Sequence, residues 1–598
     1  MSVVSARSTS LSSILTSSGH RAKQRQKWAK VVFVPPKNLK KILLNYETGA
    51  DRKSYDGLIC MVRDAEITDD QLIDFLNEIR QCISFLGANH KLLVEVVLTI
   101  SWTRRCEEAA EAYKAFLEDL VCVHIYHCKV VIEKLVNEFK PMETPVGRLP
   151  PEPWVDSVPT PEDLTRLTHV HDVISKVLRI VPMSSNLLLQ SLTTKFPFFK
   201  APTHNHEVYI HSLLQIISYA PELRGDILSL VINRLLIIDV NAPRSEIEEF
   251  NDQDEDDEVF KIDETDGHQK TPEERVHPIG HTLDICMWMT LRFVKNTCYT
   301  SGGVLDPEAV KGLYFHLLDV FEKNIMPTYA SHHVQFIYFY MCSFKGSIVE
   351  AFVNWLWGRV SNPNVAPVLR QSAVCYLASL VARGSFVPIS LITRVIQEMS
   401  TWIHSYIATQ DSLECANSDV RIHTVFYSIC QALFYVIAFR HKDLVDVKKN
   451  LLFLQSLNLT KMVTCKLNPL RMCVPVVVQH FAAVTRTYQL AYCYTVMEHN
   501  ARTNLPVIET SNRLTSWLDT FFPFDPYILP KSSSMISPIY LQYRGTVNLE
   551  PEEEKQETQE EEEENDDDDF MDVSFPHSDA KNHLDKFSYS TSPGFIHT

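Results

Sequence analysis

The residues of this 598-residue chain that are best suited to chemistry lie in one stretch, CVHIYHC at 122–128. On a continuous helix His124 and Cys128 are i, i+4 neighbours and His127 lies beside them, so imidazole and thiolate groups could converge on a zinc ion. Zinc requires a fourth ligand, and the sequence nominates none. Because the flanking residues continue an apolar helical stripe, we expect a structural helix that binds no metal. A metal-dependent enzyme at this cluster is the alternative.

No other spacing of residues indicates catalysis. The sequence contains none of the patterns GxGxxG, GxxxxGK[ST], GxSxG, HExxH or CxxC, which cradle phosphate, position a nucleophile or bind metal. Only 16 of 598 residues are glycine, against a usual level of about 7%. Tight turns and phosphate loops consume glycine because they need positive φ or a close backbone approach. We therefore expect a helical protein without a cofactor, and the composition argues against a nucleotide-binding α/β enzyme.

The elements that carry these residues are predicted to be helices. In TDDQLIDFLNEIRQCISFL at 68–86, Thr68 is a candidate N-cap and the apolar residues recur at the spacing of one helix face. Similar stripes recur as far as about His499, and their short connections are rich in Pro, Asn, Asp and Ser. No convincing run of alternating strand residues occurs.

The stretch SNPNVAPVLRQSAVCYLASLVARGS at 361–385 shows the repeating unit. Asn364 is a candidate cap, Gly384 can end the helix, and amphipathic helices at 346–360 and 386–408 flank it. A helix–turn–helix unit of about 40–47 residues is typical of HEAT repeats, in which each pair leaves an apolar face that only a neighbouring pair buries. The predicted fold class is all-α, an α-solenoid of HEAT-like helical repeats. A globular helical bundle is the alternative.

Two acidic segments determine the net charge of −17. Residues 246–275 hold 14 acidic and 3 basic side chains, and residues 550–572 hold 15 acidic and 1 basic. Without them, 45 acidic and 53 basic residues remain, a net charge of about +8. Runs of like charge repel themselves and favour disorder. The segments are either solubilising spacers, or they bind basic partners and screen the protein's own basic surface over a Debye length of about 8 Å.

Shifts in composition predict the organisation of the chain. Residues 1–45 begin Ser/Thr-rich and become basic, which indicates a disordered arm, with a nuclear-localisation or nucleic-acid patch as the alternative. HEAT-like repeats are predicted for 46–545, followed by a disordered acidic tail at 546–598. Three segments interrupt the repeats: a Pro-rich crossing segment at 141–163, a disordered acidic insert at 243–276 and a Pro/aromatic strap at 518–540.

Two aromatic segments are predicted to pack against the repeats. HVQFIYFYMCSF at 333–344 is apolar almost without interruption, which favours a fully buried central helix over a ligand cage. The strap at 518–540 is too apolar to stay in water, so it is expected to cover the last repeats, with partner docking as the alternative. The longest apolar run, 334–344, is shorter than the roughly 18 residues of a membrane span. No signal peptide is recognisable, so we expect an intracellular protein with reduced thiols and no membrane.

Four long blocks resemble the RNA polymerase I-specific transcription initiation factor IA family (TIF-IA). They are MPTYASHHVQFIYFYMCSFKGSIVEAFVNWLW, RQSAVCYLASLVARGSFVP, LQSLNLTKMVTCKLNPLRMCVPVVVQHFAAVTRTYQLAYCYTVMEHNAR and LDTFFPFDPYILPKS. Weaker matches are KFPFFK, YIHSLLQI, LLIIDVNAP and VHPIGHTLDI. The resemblance covers most of residues 40–545 and is densest in the second half.

The resemblance implies a HEAT-repeat protein without enzymatic activity. Such a protein binds RNA polymerase I, chiefly around its stalk, and bridges it to the promoter-bound selectivity factor so that rRNA synthesis starts. Phosphorylation regulates this association, and the site of action is the nucleus and nucleolus. A weak contact with DNA and a homodimer of the free protein stay open. A helical-repeat transport receptor or general protein adaptor is the alternative function.

The resemblance and the local sequence suggest a few individual sites. The family's Ser-Pro tail sites are matched by STSPGF, in which Ser592 precedes a proline. Thr558 in TQEE and Ser245 in SEIE have the composition of acidophilic-kinase sites. For the polymerase contact we expect the exposed cations of the central repeats, which are Lys345, Arg359, Arg370 and Arg383.

Overall fold

The computed structural model of the protein describes residues 33, 36, 38–141, 159–248, 277–328, 331–412, 420–503, 518 and 522–543. These residues are predominantly helical and contain no β-strand; two isolated β-bridges join Tyr299 to Leu305 and Gly384 to Tyr540. The all-α prediction is therefore confirmed.

The first of two compact units comprises residues 1–146, 158–196 and 215–223. Its helices are α1 (Leu39–Glu47), α2 (Arg52–Asp64), α3 (Asp69–Gln81), α4 (Lys91–Val97), α5 (Glu107–Val123), α6 (Cys128–Asn137), α7 (Pro161–Ile180) and α8 (Ser184–Lys195). Helix α3 packs on α5, α5 on α7, and α6 on α8. Each apolar stripe is thus covered by the helix two positions along the chain, as in stacked helical repeats.

The helical part begins earlier than the composition suggested. Helix α1 starts inside the arm predicted for residues 1–45, because Leu39 and Leu43 are buried. The acidic stretches 249–276 and 546–598 lie outside the described residues, so their predicted disorder stays a prediction.

Helix α3 shows how local sequence sets an element's bounds. The Thr68 hydroxyl accepts a hydrogen bond from the backbone N–H of Gln71, and the Gln71 side-chain oxygen accepts one from the Thr68 N–H at 3.1 Å. This capping box satisfies two of the donors that a helix start leaves unpaired. The helix predicted for 68–86 ends at Gln81, and a 3₁₀ turn at Ile83–Phe85 follows.

The second unit comprises residues 147–157, 197–214 and 224–598. Helix α9 (Thr203–Tyr219) has residues in both units. The remaining helices are α10 (Arg224–Val240), α11 (Pro278–Cys298), α12 (Pro307–Val320), α13 (Phe336–Cys342), α14 (Gly346–Ser361), α15 (Pro367–Arg383), α16 (Ile389–Asp411), α17 (Thr424–Val445), α18 (Lys448–Ser456), α19 (Leu459–Val463), α20 (Pro469–Met472), α21 (Pro475–Thr487), α22 (Cys493–Thr503) and α23 (Pro530–Ile536).

Helices of the second unit also pack on near neighbours in the chain. Helix α14 packs on α15, and both α15 and α16 pack on α17. Helix α15 buries apolar side chains such as Tyr376 and Leu377. The predicted cap is wrong: Asn364 donates its backbone N–H to Asn362 Oδ1 at 2.9 Å, and Ala366 occupies the N-cap position.

Gly384 ends α15 for a reason other than positive φ. Its φ is −75° and its ψ 114°, an extended conformation open to any residue. A Cβ atom there would lie 2.8 Å from Val387 Cγ2 and 3.0 Å from the backbone oxygen of Leu380. Glycine is required because the backbone is tightly surrounded.

Two apolar helices form the centre of the second unit. All seven residues of α13 are buried, so the buried helix predicted within 333–344 is confirmed. Residues Arg421–Val445 are long and apolar enough to cross a membrane by length and composition, yet 89% of the relevant window is buried inside the protein. Because α15, α16 and α21 pack on this stretch, it has the surroundings of a core helix.

The C-terminal strap, residues 522–543, lies across these helices. The Phe524 ring is fully buried and its centroid lies 5.3 Å from that of Phe336 and 5.0 Å from that of Phe339. At the end of the strap, the Leu541 N–H donates to the backbone oxygen of Arg383 at 2.7 Å. Apolar packing and backbone pairing thus fix the strap on α13 and the end of α15.

Candidate partner-binding surface

Two of the four predicted cations, Lys345 and Arg359, lie at the two ends of α14. Lys345 occupies the N-cap position and is exposed. Arg359 is half-buried in the last turn, where its guanidinium lies 5.1 Å from the Trp355 ring centre and forms an ion pair with Glu322. Stacking and pairing fix the geometry of this guanidinium, which lowers the entropy that a contact with a partner would cost.

Arg370 has a structural contact of its own. It lies in the first turn of α15, and its Nε donates to the backbone oxygen of Val360 at 2.7 Å. Burial lowers the pKa of its guanidinium. Arg370 therefore closes the turn between α14 and α15 and offers only part of its surface to a partner.

The prediction of an exposed Arg383 is wrong. Its exposed fraction is 1%, and its guanidinium lies 4.6 Å from the ring centre of Phe439 and 5.4 Å from that of Tyr540. Arg383 follows Leu380 by three residues and Tyr376 by seven, so helix spacing places it beside the buried residues of α15, and the strap covers it there. Periodicity could therefore have indicated the burial, but not the partner Tyr540, which belongs to the strap and is far away in sequence.

Sequence reasoning missed Arg394, which completes the charged surface next to α14. This residue of α16 is 39% exposed; its Nη1 lies 2.8 Å from Glu350 Oε1 and its Nη2 lies 3.0 Å from Asn354 Oδ1. We call the exposed or half-buried side chains of Lys345, Glu350, Arg359 and Arg394 the α14–α16 surface. The amphipathic pattern of α16 predicts that Arg394 faces solvent, but it cannot predict the partners on α14, because these depend on tertiary packing.

A buried acid holds the strap in place. Asp284 of α11 is 2% exposed and accepts hydrogen bonds from the backbone N–H of Lys531 at 2.7 Å and of Ser532 at 2.8 Å. The Ser532 hydroxyl also donates to it. These donors lie in the first turn of α23, where a negative charge complements the helix dipole. Asp284 therefore caps α23 from another helix.

The geometry of Asp239 and His333 superficially suggests catalysis. His333 Nδ1 lies 2.8 Å from Asp239 Oδ1, and both side chains have no exposed surface. Asp239 Oδ2 accepts the backbone N–H groups of residues 332–334. Burial alone would raise the pKa of Asp239, but the imidazole and these N–H groups outweigh it and the pKa is lowered. With no opening to a substrate, this pair orders the start of α13.

A second buried acid, Asp525, lies in the strap. Burial raises its pKa to about 7, although the charges of Arg244 and Arg383 act in the opposite direction. Asp525 is 5% exposed. The carboxyl is thus close to changing its charge at neutral pH.

The residues of the CVHIYHC stretch do not converge as ligands. The helix breaks at His124, because α5 ends at Val123, a 3₁₀ turn spans Ile125–His127 and α6 begins at Cys128. His124 Nε2 lies 2.7 Å from the backbone oxygen of Ile83, and His127 Nε2 lies 2.8 Å from that of Leu86. The expectation of one continuous helix is wrong. The two imidazoles bind separate carbonyls, and the part of the chain that is described holds no cluster of three metal-ligating side chains.

Of the three phosphorylation candidates, only Ser245 lies among the described residues. Ser245 is exposed and follows the buried Arg244; the described residues 244–248 are helical. Thr558 and Ser592 lie outside the described residues.

Stacked helices with charged surfaces, and with buried His, Cys and Asp side chains used for packing, define a helical-repeat binding protein. A family model described as RNA polymerase I specific transcription initiation factor RRN3 matches residues 37–548. The chain belongs to this family, which confirms the resemblance seen in the sequence. Its function therefore lies in the initiation of transcription by RNA polymerase I.

Individual relatives agree. The RNA polymerase I-specific transcription initiation factor RRN3 of Mus musculus is 35% identical over 577 residues, covering 92% of this chain and 87% of that protein. Factor rrn3 of Schizosaccharomyces pombe is 25% identical over 513 residues, 81% of each chain. The crystal structure of RNA polymerase I transcription initiation factor Rrn3 superposes with a TM-score of 0.66 at 20% identity, covering 84% of this chain and 97% of that one. That structural likeness supports the fold.

Proposed function

We propose that this protein binds RNA polymerase I directly, acts without catalysis, and bridges the polymerase to the promoter-bound selectivity factor so that rRNA synthesis starts. The match to the initiation-factor family across residues 37–548 is the observation that carries the proposal. The stalk of the polymerase is the proposed docking region, and the nucleus and nucleolus are the proposed site of action.

The α14–α16 surface is the proposed contact. Arg359 of α14 pairs with Glu322, which follows α12, and Arg394 of α16 pairs with Glu350 of α14. A rigid pattern of mixed charge favours one partner orientation and repels wrong partners, because like charges brought together cost free energy. Arg370 contributes at the edge, whereas Arg383 is buried and takes no part.

A charge-reversal experiment tests this contact. The full chain carrying Lys345→Glu and Arg359→Glu is added to purified RNA polymerase I, and bound protein is measured by pull-down at two salt concentrations. We expect affinity to fall at least about tenfold, or about 1.4 kcal/mol. Promoter-dependent initiation in a reconstituted assay is expected to fall in parallel.

The matched control is Lys295→Glu with Lys311→Glu, which changes the same charge at two exposed positions of the second unit. Thermal melting of both variants checks that the fold is intact. Equal binding by the two double variants would show that the α14–α16 surface is not the contact. Failure of the unmodified chain to bind polymerase would contradict the proposal as a whole.

Phosphorylation is proposed to regulate the association. A phosphate adds about −1.5 to −2 charges. At Ser245 this charge would arise beside a sequence that is already acidic; Thr558 and Ser592 remain candidates of the same kind. Phosphate mapping of the protein purified from growing and starved cells, followed by Ser→Ala and Thr→Ala variants in the pull-down, tests each site. A homodimer of the free protein and a weak DNA contact stay predictions, which sedimentation and a gel-shift titration address.

A further inference from the structure

Residues 447–497 are unusual because they contain no acidic side chain. At the chain's average content of Asp and Glu, 51 residues would include about six. Instead this acid-free region carries six Lys or Arg residues; Asp446 and Glu498 flank it in sequence, and Asp411 of α16 lines a small pocket with Lys466. Elsewhere in the described chain, exposed cations commonly pair with a nearby carboxylate, as Lys323 does with Asp319. The region is therefore locally cationic.

The cations of the acid-free region face solvent, and four of them lie on or between helices that touch one another. Helix α19 packs on α20, α20 on α22, and α21 on α22. The exposed cations along this group are Lys461, Lys466, Arg471 and Arg486, and Lys448 and Lys449 are exposed on α18. The Arg486 guanidinium lies 5.5 Å from the ring centre of the exposed Tyr494, and Tyr492 is 77% exposed. Positive charges with few competing acids create a potential that attracts a polyanion.

The last residue of the strap, Tyr543, lies against the acid-free region. The Tyr543 hydroxyl lies 3.2 Å from His480 Nδ1, and the Tyr543 ring centre lies 5.4 Å from that of His480 and 5.4 Å from that of Phe439. His480 is part of α21, which belongs to the acid-free region. The chain therefore leaves the strap at the cationic helices themselves.

We infer that the acidic segment 550–572 docks on the acid-free region of its own chain. Its 15 acidic residues follow Tyr543 closely in sequence. The seven residues from Tyr543 to Glu550 can span up to about 24 Å. Arg486 lies six residues from His480 on the same helix, about 9 Å along the axis. The first acids are thus within reach of Arg486.

Tethering makes this intramolecular pairing efficient. A connection of a few residues gives the tethered segment an effective concentration in the millimolar range, far above that of a free competitor. The contact is electrostatic, so it weakens as the Debye length shrinks from about 10 Å at 0.1 M salt to about 3 Å at 1 M. The docked segment screens a cationic surface that would otherwise attract nucleic acid or another polyanion. This inference does not depend on how the protein binds polymerase.

A competition experiment on full-length protein tests the docking. The probe is a fluorescent peptide with the sequence of residues 550–572, and its anisotropy is measured at low salt, where the Debye length exceeds about 10 Å. The intact chain is compared with a tail-neutral chain in which every Glu and Asp of that segment is Gln or Asn. We expect the peptide to bind the tail-neutral chain at least tenfold more tightly, because the intact chain already occupies the surface.

The surface itself is tested in the tail-neutral chain. Lys461→Gln, Lys466→Gln and Arg486→Gln together are expected to weaken peptide binding at least tenfold. The matched control, Lys295→Gln with Lys311→Gln, changes exposed cations of the second unit outside this region. Melting temperatures of both variants verify folding. Equal weakening by the control would overturn the assignment of the surface.

Zero-length carboxyl-to-amine cross-linking of the intact chain gives an independent readout. Cross-links within monomers from the acidic segment to Lys448, Lys449, Lys461 or Lys466 support the inference. Cross-links found only in dimers would overturn it and identify a second copy as the occupant. Equal peptide affinity of the intact and tail-neutral chains would overturn it as well.

Discussion

Replacing Asp284 by asparagine is predicted to release the C-terminal strap. The carboxylate accepts three hydrogen bonds from Lys531 and Ser532, and it is almost completely buried. A hydrogen bond to a charged group contributes about 1.5–3 kcal/mol. The asparagine side chain would keep one acceptor oxygen but would turn an NH₂ group toward backbone donors. We expect a loss of about 3 kcal/mol, which raises the population of the open strap about 100-fold.

Native-state hydrogen exchange is the suitable assay, because a protein of two units need not unfold in one step. The amides of Leu541 and Ser385 donate across the contact between strap and α15, to Arg383 and Ile539 respectively. Both are predicted to exchange about 100-fold faster in the variant. Amides of α3 in the first unit should not change.

Asp306→Asn is the matched control for this prediction. Asp306 Oδ1 accepts the N–H groups of Glu308 at 3.0 Å and Ala309 at 3.3 Å, but it caps the helix that follows it directly in sequence. Its loss should cost about 1 kcal/mol and leave the strap amides unchanged. If Asp284→Asn changed exchange at Leu541 and Ser385 by less than twofold, Asp284 would not be the anchor.

Three further predictions concern the same part of the molecule. Asp525 has a folded-state pKa of about 7 against an ordinary 3.8, so the folded state retains a proton that the unfolded state loses. The free energy of unfolding therefore falls as the pH rises between these two values, and it levels off above pH 7. Relative to the parent, Asp525→Asn should gain about 3 kcal/mol of stability as the pH rises from 5 to 8, measured by denaturant titration. Arg383→Met should destabilise the parent more than the Asp525→Asn variant at pH 8, and the difference should vanish at pH 5, when the carboxyl is neutral; equal costs in both backgrounds would refute the coupling. Gly384→Ala should cost about 1–3 kcal/mol through steric overlap, whereas Gly358→Ala, at an exposed helical position with open space around its Cβ, should stabilise by about 0.5–1 kcal/mol in thermal melts.

Local pattern was sufficient where neighbours in sequence make the contacts. The capping box at Thr68, the buried stripe of α15 and the all-apolar α13 depend on 3.6-residue periodicity and on side chains three or four positions apart. Scarcity of glycine and the absence of strand alternation can also be seen in the sequence alone, and they predicted an all-helical protein. The long blocks shared with a family identified the function.

Tertiary contacts decided the features that periodicity could not reach. Arg383 follows the buried Leu380 by three residues on α15, but only the folded chain shows that the strap covers it from 158 residues away. Asp284 of α11 caps α23, 247 residues further along the chain, and Arg394 of α16 forms an ion pair with Glu350 of α14. A sequence specifies which faces are apolar, but long-range packing determines which polar side chains those faces enclose. The strap and the packing between helices therefore determine which charged side chains are buried and which remain on the surface.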